Sequence, residues 1–215
     1  MTNDDEDGAG PSNAILPVAL ATAYLAFALT FRGPKERFWQ RMTRTGLALG
    51  SLALVADPSL RRTRFRARDV ALGVSAAAGL YGIFQVGDRA ARMILPKGGE
   101  QIDEIYALRR LRPAPELAAR LALVIGPAEE LFWRGLMQRS TARLHGRWRG
   151  AALTAGAYGG AHAITGNLTL VGAAGVAGAY WSGLAAAGFP MAALIVSHVV
   201  WDLLIFLISP TAGSR

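Results

Sequence analysis

From Gly150 to Ser214 the chain carries a single formally charged side chain, Asp202. A run that long and that free of charge has room for about three helices of the roughly 20 residues needed to cross a hydrocarbon core. Turn signals at Gly166-Asn167 and Gly188-Phe189-Pro190 divide it. Two further uncharged runs lie upstream, Asn13–Phe31 with nineteen residues and Val70–Gly87 with eighteen, and both read as transmembrane helices. With 52% of the 215 residues hydrophobic and 18% charged, the composition departs from that of a soluble domain in the same direction. The chain is expected to be an all-α polytopic bundle of six to eight transmembrane helices.

The net charge of +8 does not point to nucleic acid, because the basic residues fall between the apolar runs, at 32–44, 61–68 and 139–149. That is the pattern of cytoplasmic loops beside anionic lipid. Five Lys or Arg lie between Arg32 and Arg44 and none precedes Asn13, so the positive-inside rule places the N-terminus outside and all three basic segments in the cytoplasm. The first apolar run follows the acidic "NDDED" rather than a basic region, and it is kept as a mature helix, not a signal peptide. Thr45–Ala56, twelve uncharged residues between basic flanks, is read three ways: re-entrant, interfacial, or a span with Arg41 and Arg44 snorkelling. Residues 88–115 mix both signs and are expected to form a loop and an interfacial helix. Arg109, Arg110 and Arg112 in this loop fit poorly with an outside location. The absence of cysteine excludes disulfides and Cys-based metal sites or nucleophiles. The resulting division is an acidic N-terminus at 1–12, N-terminal helices and loops at 13–114, a core at 115–209 and a tail at 210–215.

Ionisable side chains inside membrane helices cost about 2.5 to 3.5 kcal/mol each, so those that persist are paired or functional. Here they are Glu129, Glu130, Arg134, His162, His198 and Asp202. Residues four apart share one helix face, and three such pairs occur: Glu130 with Arg134, Tyr158 with His162, and His198 with Asp202. Three helices thus offer polar faces to one interior, the way bundles build metal and catalytic sites. His and carboxylate at this spacing can ligate one divalent metal or orient each other, and a neighbouring Glu can act as general base on water. Each piece also has a structural reading: a buried salt bridge for Glu130 and Arg134, helix-packing hydrogen bonds for the histidines, and close helix packing for the Gly and Ala of 150–188. Trp133, Trp148, Trp181 and Trp201 are read as interface anchors or packing.

"EELFWR" at Glu129–Arg134, "YGGAH" at Tyr158–His162 and "HVVWD" at His198–Asp202 resemble, in order and separation, the three motifs of the CAAX prenyl protease and bacteriocin-processing (CPBP, Abi) family of intramembrane endopeptidases. The resemblance spans Leu117–Ile208. It implies helices around a polar cavity in which peptide bonds are hydrolysed. Glu129 would then be the general base, and Glu130 a second acid paired to Arg134. His162 would bind or activate the water, and His198 with Asp202 would bind a metal or hold the oxyanion. Tyr158 stands where the family commonly has Phe, and Asp202 where it commonly has Asn. Asp favours a metal, with His162, His198 and Asp202 as ligands and zinc as the ion, whereas Asn is a neutral donor suited to an oxyanion. Both chemistries, zinc-assisted and metal-free, remain open at this level.

The implied protein is a membrane-embedded peptidase, and the resemblance suits it to a bacterial cell membrane. Its substrate would be a peptide or protein, with a lipidated C-terminus as one form. Anionic lipids would meet the basic loops, and nucleic acid has no part. A catalytically silent scaffold or immunity-type binding protein and a proton-coupled transporter are the alternatives from other classes. The intact motif set favours the peptidase, and the lack of an inverted repeat counts against the transporter.

Overall fold

A computed structural model of the protein describes residues 15–209; the acidic N-terminus and the tail from 210 lie outside the described residues, and so do Asn13 and Ala14 of the first apolar run. The described chain is helical throughout, without strands. Eight helices follow one another: α1 (Ile15–Arg32), α2 (Phe38–Ala56), α3 (Ala67–Ile94), α4 (Gly98–Ala107), α5 (residues 114–145), α6 (Arg147–Ala161), α7 (Leu168–Ala186) and α8 (Met191–Ile208). Four of them, α1, α3, α7 and α8, are long and apolar enough to cross a membrane. In a bilayer every backbone group must find its partner within the chain, which is why uncharged runs of this length become helices.

α2 settles the reading of Thr45–Ala56. It runs for nineteen residues, about 28 Å, beginning well before the uncharged stretch. Its N-terminal arginine turns back toward the α1–α2 connection, where Arg41 donates from Nε to the Thr30 carbonyl at 3.1 Å and from Nη2 to the Pro34 carbonyl at 2.6 Å. Deeper down, the buried hydroxyls of Thr30 and Thr45 share a hydrogen bond of 2.8 Å between the two helices. α2 is therefore a full-length helix whose cationic head reaches back to one end of the bundle.

That length sets where the basic segments lie along the bundle. The 33–37 turn sits beside 108–112, with Trp39 Nε1 donating to the Leu108 carbonyl at 2.7 Å and Arg112 Nη2 donating to the Glu36 carbonyl at 3.1 Å. At the far end of α2, Asp57 meets Arg139 at 3.3 Å, and Gly135 packs against Leu60 and Met191. The basic segments 61–68 and 139–149 thus share one end, and the turn that opens 32–44 lies at the other. A rule that counts charges along the sequence had no way to see that α2 separates them. α3 also continues through Asp88 to Ile94, so the mixed-charge region begins inside a helix, and α4 follows it.

α5 is the axis of the C-terminal half. Its interior contains Pro127, which has no N–H to give, and the helix widens into π-helical turns at Leu121–Ile125 and Leu131–Gln138 on either side of Gly126–Glu130. Gly126 lets α8 approach: a Cβ there would come within 3.0 Å of Val199. Gly146, at φ +82°, makes the one-residue turn into α6. Trp133, Phe132, Leu136 and Phe27 fill one apolar core, and Trp181, Leu80 and Leu194 a second.

Candidate active site

The three motifs meet between α5, α6 and α8. Glu129 and Glu130 lie on the short α-helical piece between the π turns, and both are buried. Tyr158 closes the last turn of α6 and donates its hydroxyl to Glu129 Oε2 at 2.9 Å, leaving the other carboxylate oxygen without a protein partner. His162 caps α6. Its Nδ1 faces the Tyr158 carbonyl at 2.9 Å, so that nitrogen carries the proton and Nε2 is left as an acceptor. The ring is wedged among Phe27, Phe31 and Tyr158 at centroid distances of 5.0, 5.6 and 5.0 Å.

Glu130 has a different role. It is fully buried and is not among the residues that line the cavity. Its Oε1 accepts from two donors, Arg134 Nη1 at 2.9 Å and His198 Nδ1 at 2.7 Å. Arg134 in turn donates from Nη2 to the Gly178 carbonyl at 3.2 Å and lies over the rings of Tyr158 and Trp181 at 5.0 and 5.4 Å. One carboxylate thus ties α5 to α8, and one guanidinium ties α5 to α6 and α7. With Nδ1 held by Glu130, the imidazole of His198 turns Nε2 toward Asp202, 3.8 Å away. That separation exceeds a direct hydrogen bond.

Glu129, Tyr158, His162, His198 and Asp202 line a single cavity of about 420 Å³. The structure therefore brings all seven sequence-identified residues together, five on the cavity wall and two, Glu130 and Arg134, behind it. Among the described residues, however, no three His, Asp or Glu side chains are grouped to hold a metal ion. His198 has one nitrogen committed to Glu130, and His162 is held on the α1 side of the cavity by its aromatic neighbours. The set His162, His198 and Asp202 does not form the cluster a resident zinc requires, and no step below is routed through a metal.

Trp181 was not legible as part of this site. It stacks on His198 with ring centroids 4.0 Å apart and planes 17° from parallel, and its indole N–H is fixed by Ser197 Oγ at 3.0 Å. Together with Glu130 it fixes the imidazole from face and edge. No spacing rule links residue 181 to 198, because the contact crosses from α7 to α8. Of the tryptophans read as anchors or packing, Trp133, Trp181 and Trp201 are buried, and only Trp148 is exposed as an interface anchor would be.

The fold and site together define a polytopic helical membrane protein whose interior holds a carboxylate-histidine chamber. Residues 113–204, a little under half of the chain, match the family described as Rce1-like, type II CAAX prenyl endopeptidase. All three motifs fall inside that match, so this part of the chain is similar to the CAAX prenyl endopeptidases. No curated protein and no solved structure matches it.

Proposed function

We propose that the protein hydrolyses a peptide bond inside the membrane with a water activated by Glu129. The observation that carries this reading is the pairing of a buried carboxylate, anchored through one oxygen by Tyr158, with the free Nε2 of His162 on the same cavity wall. The unanchored oxygen of Glu129 takes a proton from water as the oxygen attacks the scissile carbonyl, and His162 Nε2 accepts the water's second hydrogen and orients it. The oxyanion develops opposite, where the protonated Nε2 of His198 donates to it, held in place by Glu130 and Trp181. Glu129 then returns its proton to the leaving amine.

Access supports a membrane substrate. The cavity extends between α3 and α7, and its wall includes Ile83, Leu168 and Val176, which are exposed on the outer surface of the bundle. An apolar segment or lipid chain can enter from the bilayer through that gap while the reacting peptide reaches Glu129.

Glu129→Gln nearly preserves volume and removes the base. Purified into lipid nanodiscs and assayed on a peptide library by mass spectrometry, it should lose about 100-fold or more in rate with the fold intact. Full retention of an authentic wild-type cleavage would remove Glu129 from the role of base, and a scaffold or binding protein would give no cleavage in either form.

A further inference from the structure

A second cavity, of about 330 Å³, lies at the end of the bundle that carries 61–68 and 139–149, and it shares no lining residue with the chamber. Its walls come from the C-terminal half of α5, the first residue of α6 and the turn from α7 into α8. α7 and α8 are both long and apolar enough to cross a membrane, and residues 187–190 join them. The cavity therefore sits where such helices end, at the depth of lipid headgroups.

Its charged lining is of one sign. Arg134, Arg139 and Arg147 line it, and no Asp, Glu or His does. Arg134, buried at the inner wall, is already committed to Glu130 and the Gly178 carbonyl, whereas the other two stand exposed. Arg139 meets Asp57 at 3.3 Å and the Ser59 hydroxyl at 3.3 Å, a solvent-facing pairing of the kind that contributes little to stability. Arg147 lies over the Trp148 ring at 5.4 Å and has no acidic partner among the described residues. The backbone has the same polarity. The last carbonyls of α7 are used, since Gly183 accepts from Ala187 at 2.8 Å, Leu184 from Phe189 at 3.0 Å and Ala185 from Gly188 at 3.1 Å, the chain turning at Gly188 with φ +94°. α8 begins after Pro190 with no side-chain cap, which leaves the positive end of its dipole beside the cavity at Met191. Two exposed guanidinium groups, an uncapped helix start and no acid make a site for an anion, and between membrane helices at headgroup depth the abundant anion is lipid phosphate. Phe189 and Leu194 complete the wall with apolar surface of the kind that the carbons next to a headgroup meet.

We propose that this cavity binds the phosphate group of an anionic lipid, with Arg139 and Arg147 as its charge partners. A phosphate shared between them ties the end of α5 to the start of α6 beside the α7–α8 turn. The site does not depend on the peptidase reading.

The test titrates the full chain, in micelles of a neutral detergent, with phosphatidylglycerol or phosphatidylcholine and reads bound lipid by native mass spectrometry. Wild type should hold one phosphatidylglycerol about tenfold or more tighter than phosphatidylcholine. Arg139→Gln with Arg147→Gln should remove most of that preference. Arg61→Gln with Arg62→Gln takes the same charge from the same end outside the cavity, and it should leave the preference within about twofold of wild type. Should the first double variant fail to fold, Arg147→Gln alone breaks no ion pair and carries the same comparison with about half the effect on a logarithmic scale. Equal losses in the two double variants would reduce the effect to the general charge of that end and overturn the proposal, as would the absence of any preference in wild type. Inorganic phosphate is the second probe. Binding of it that the cavity variants lose, without a preference for phosphatidylglycerol, would overturn the lipid as the source and assign the site to free phosphate.

Discussion

Glu130→Gln probes the hub of the site, because Gln keeps the shape and one acceptor oxygen and deletes only the charge. In the native arrangement the carboxylate is fully buried and faces two donors, Arg134 at 2.9 Å and His198 at 2.7 Å. Arg134 is 2% exposed and has no second acid; what remains for it is the Gly178 carbonyl and the faces of Tyr158 and Trp181. Removing one partner of a buried ion pair costs about 3 to 5 kcal/mol. The two cation–π contacts survive the change and are worth about 1 kcal/mol each, which favours the lower end, about 3 kcal/mol. The second consequence falls on His198, whose ring loses its charged edge partner and keeps only Trp181 on its face. A hydrogen bond to a charged group is worth about 1.5 to 3 kcal/mol, which corresponds to about 10- to 100-fold in rate where it positions a reacting group. The two losses separate in Glu130→Gln, Arg134→Met, where no unpaired cation is left. That double variant should recover about 2 kcal/mol of the stability while its rate stays low. Thermal and denaturant unfolding in detergent, followed by intrinsic fluorescence, gives the first quantity, and initial rates on a peptide cleaved by wild type give the second. A double variant no more stable than the single one would refute the ion-pair argument. A single variant at wild-type rate would refute the positioning of His198.

Four further outcomes follow from the same geometry. Tyr158→Phe should fold normally and lose about tenfold in rate, since it removes one hydrogen bond to a charged oxygen, worth about 1.5 to 3 kcal/mol, without altering the ring; unchanged kinetics would detach Tyr158 from Glu129. Trp181→Leu should lower the rate with little change in KM, because the indole supports His198 and does not line the cavity; a change confined to KM would place it in substrate binding. Asp202→Asn should retain or raise activity and leave metal content unchanged, because Asn donates to the oxyanion without repelling it; a joint fall in activity and zinc by elemental analysis would restore the metal reading. Cysteines introduced at Lys35 and Arg64 should react with impermeant reagent from opposite sides of the membrane, and labelling from one side alone would contradict the end-to-end course of α2.

The helices and the core of the site were legible because lipid enforces them. A charge-free run has no alternative to helix, and the cost of an intramembrane carboxylate makes each survivor informative, as with Glu129 and Asp202. Four-residue spacing was enough to put His198 and Asp202 on one face. What spacing could not supply were contacts between helices. Glu130 was read as Arg134's partner, correctly, yet its bond to His198 joins residues 68 positions apart, and Trp181 reaches the same imidazole from a third helix. α2 was left with three readings for the opposite reason: a hydropathy count stops at Arg44, while the structure lets Arg41 reach back to Thr30 and Pro34 and keeps the helix going. Asp88 fell just past the end of an apolar run and looked like the start of a loop.

The arrangement of the acids explains how one chamber can hold several carboxylates in a membrane. They are separated by function of contact rather than by distance from lipid. Glu130 is neutralised by Arg134 and shielded from the cavity, so its charge is spent within the protein on orienting His198. Glu129 accepts from the Tyr158 hydroxyl through one oxygen and keeps the other for the proposed water. Asp88 on α3 is paired through one oxygen with Arg92. An acid fully paired would be inert and an acid wholly unpaired would be costly to bury. The contrast between Glu130 and Glu129 gives a fixed support and a proposed base from the same functional group.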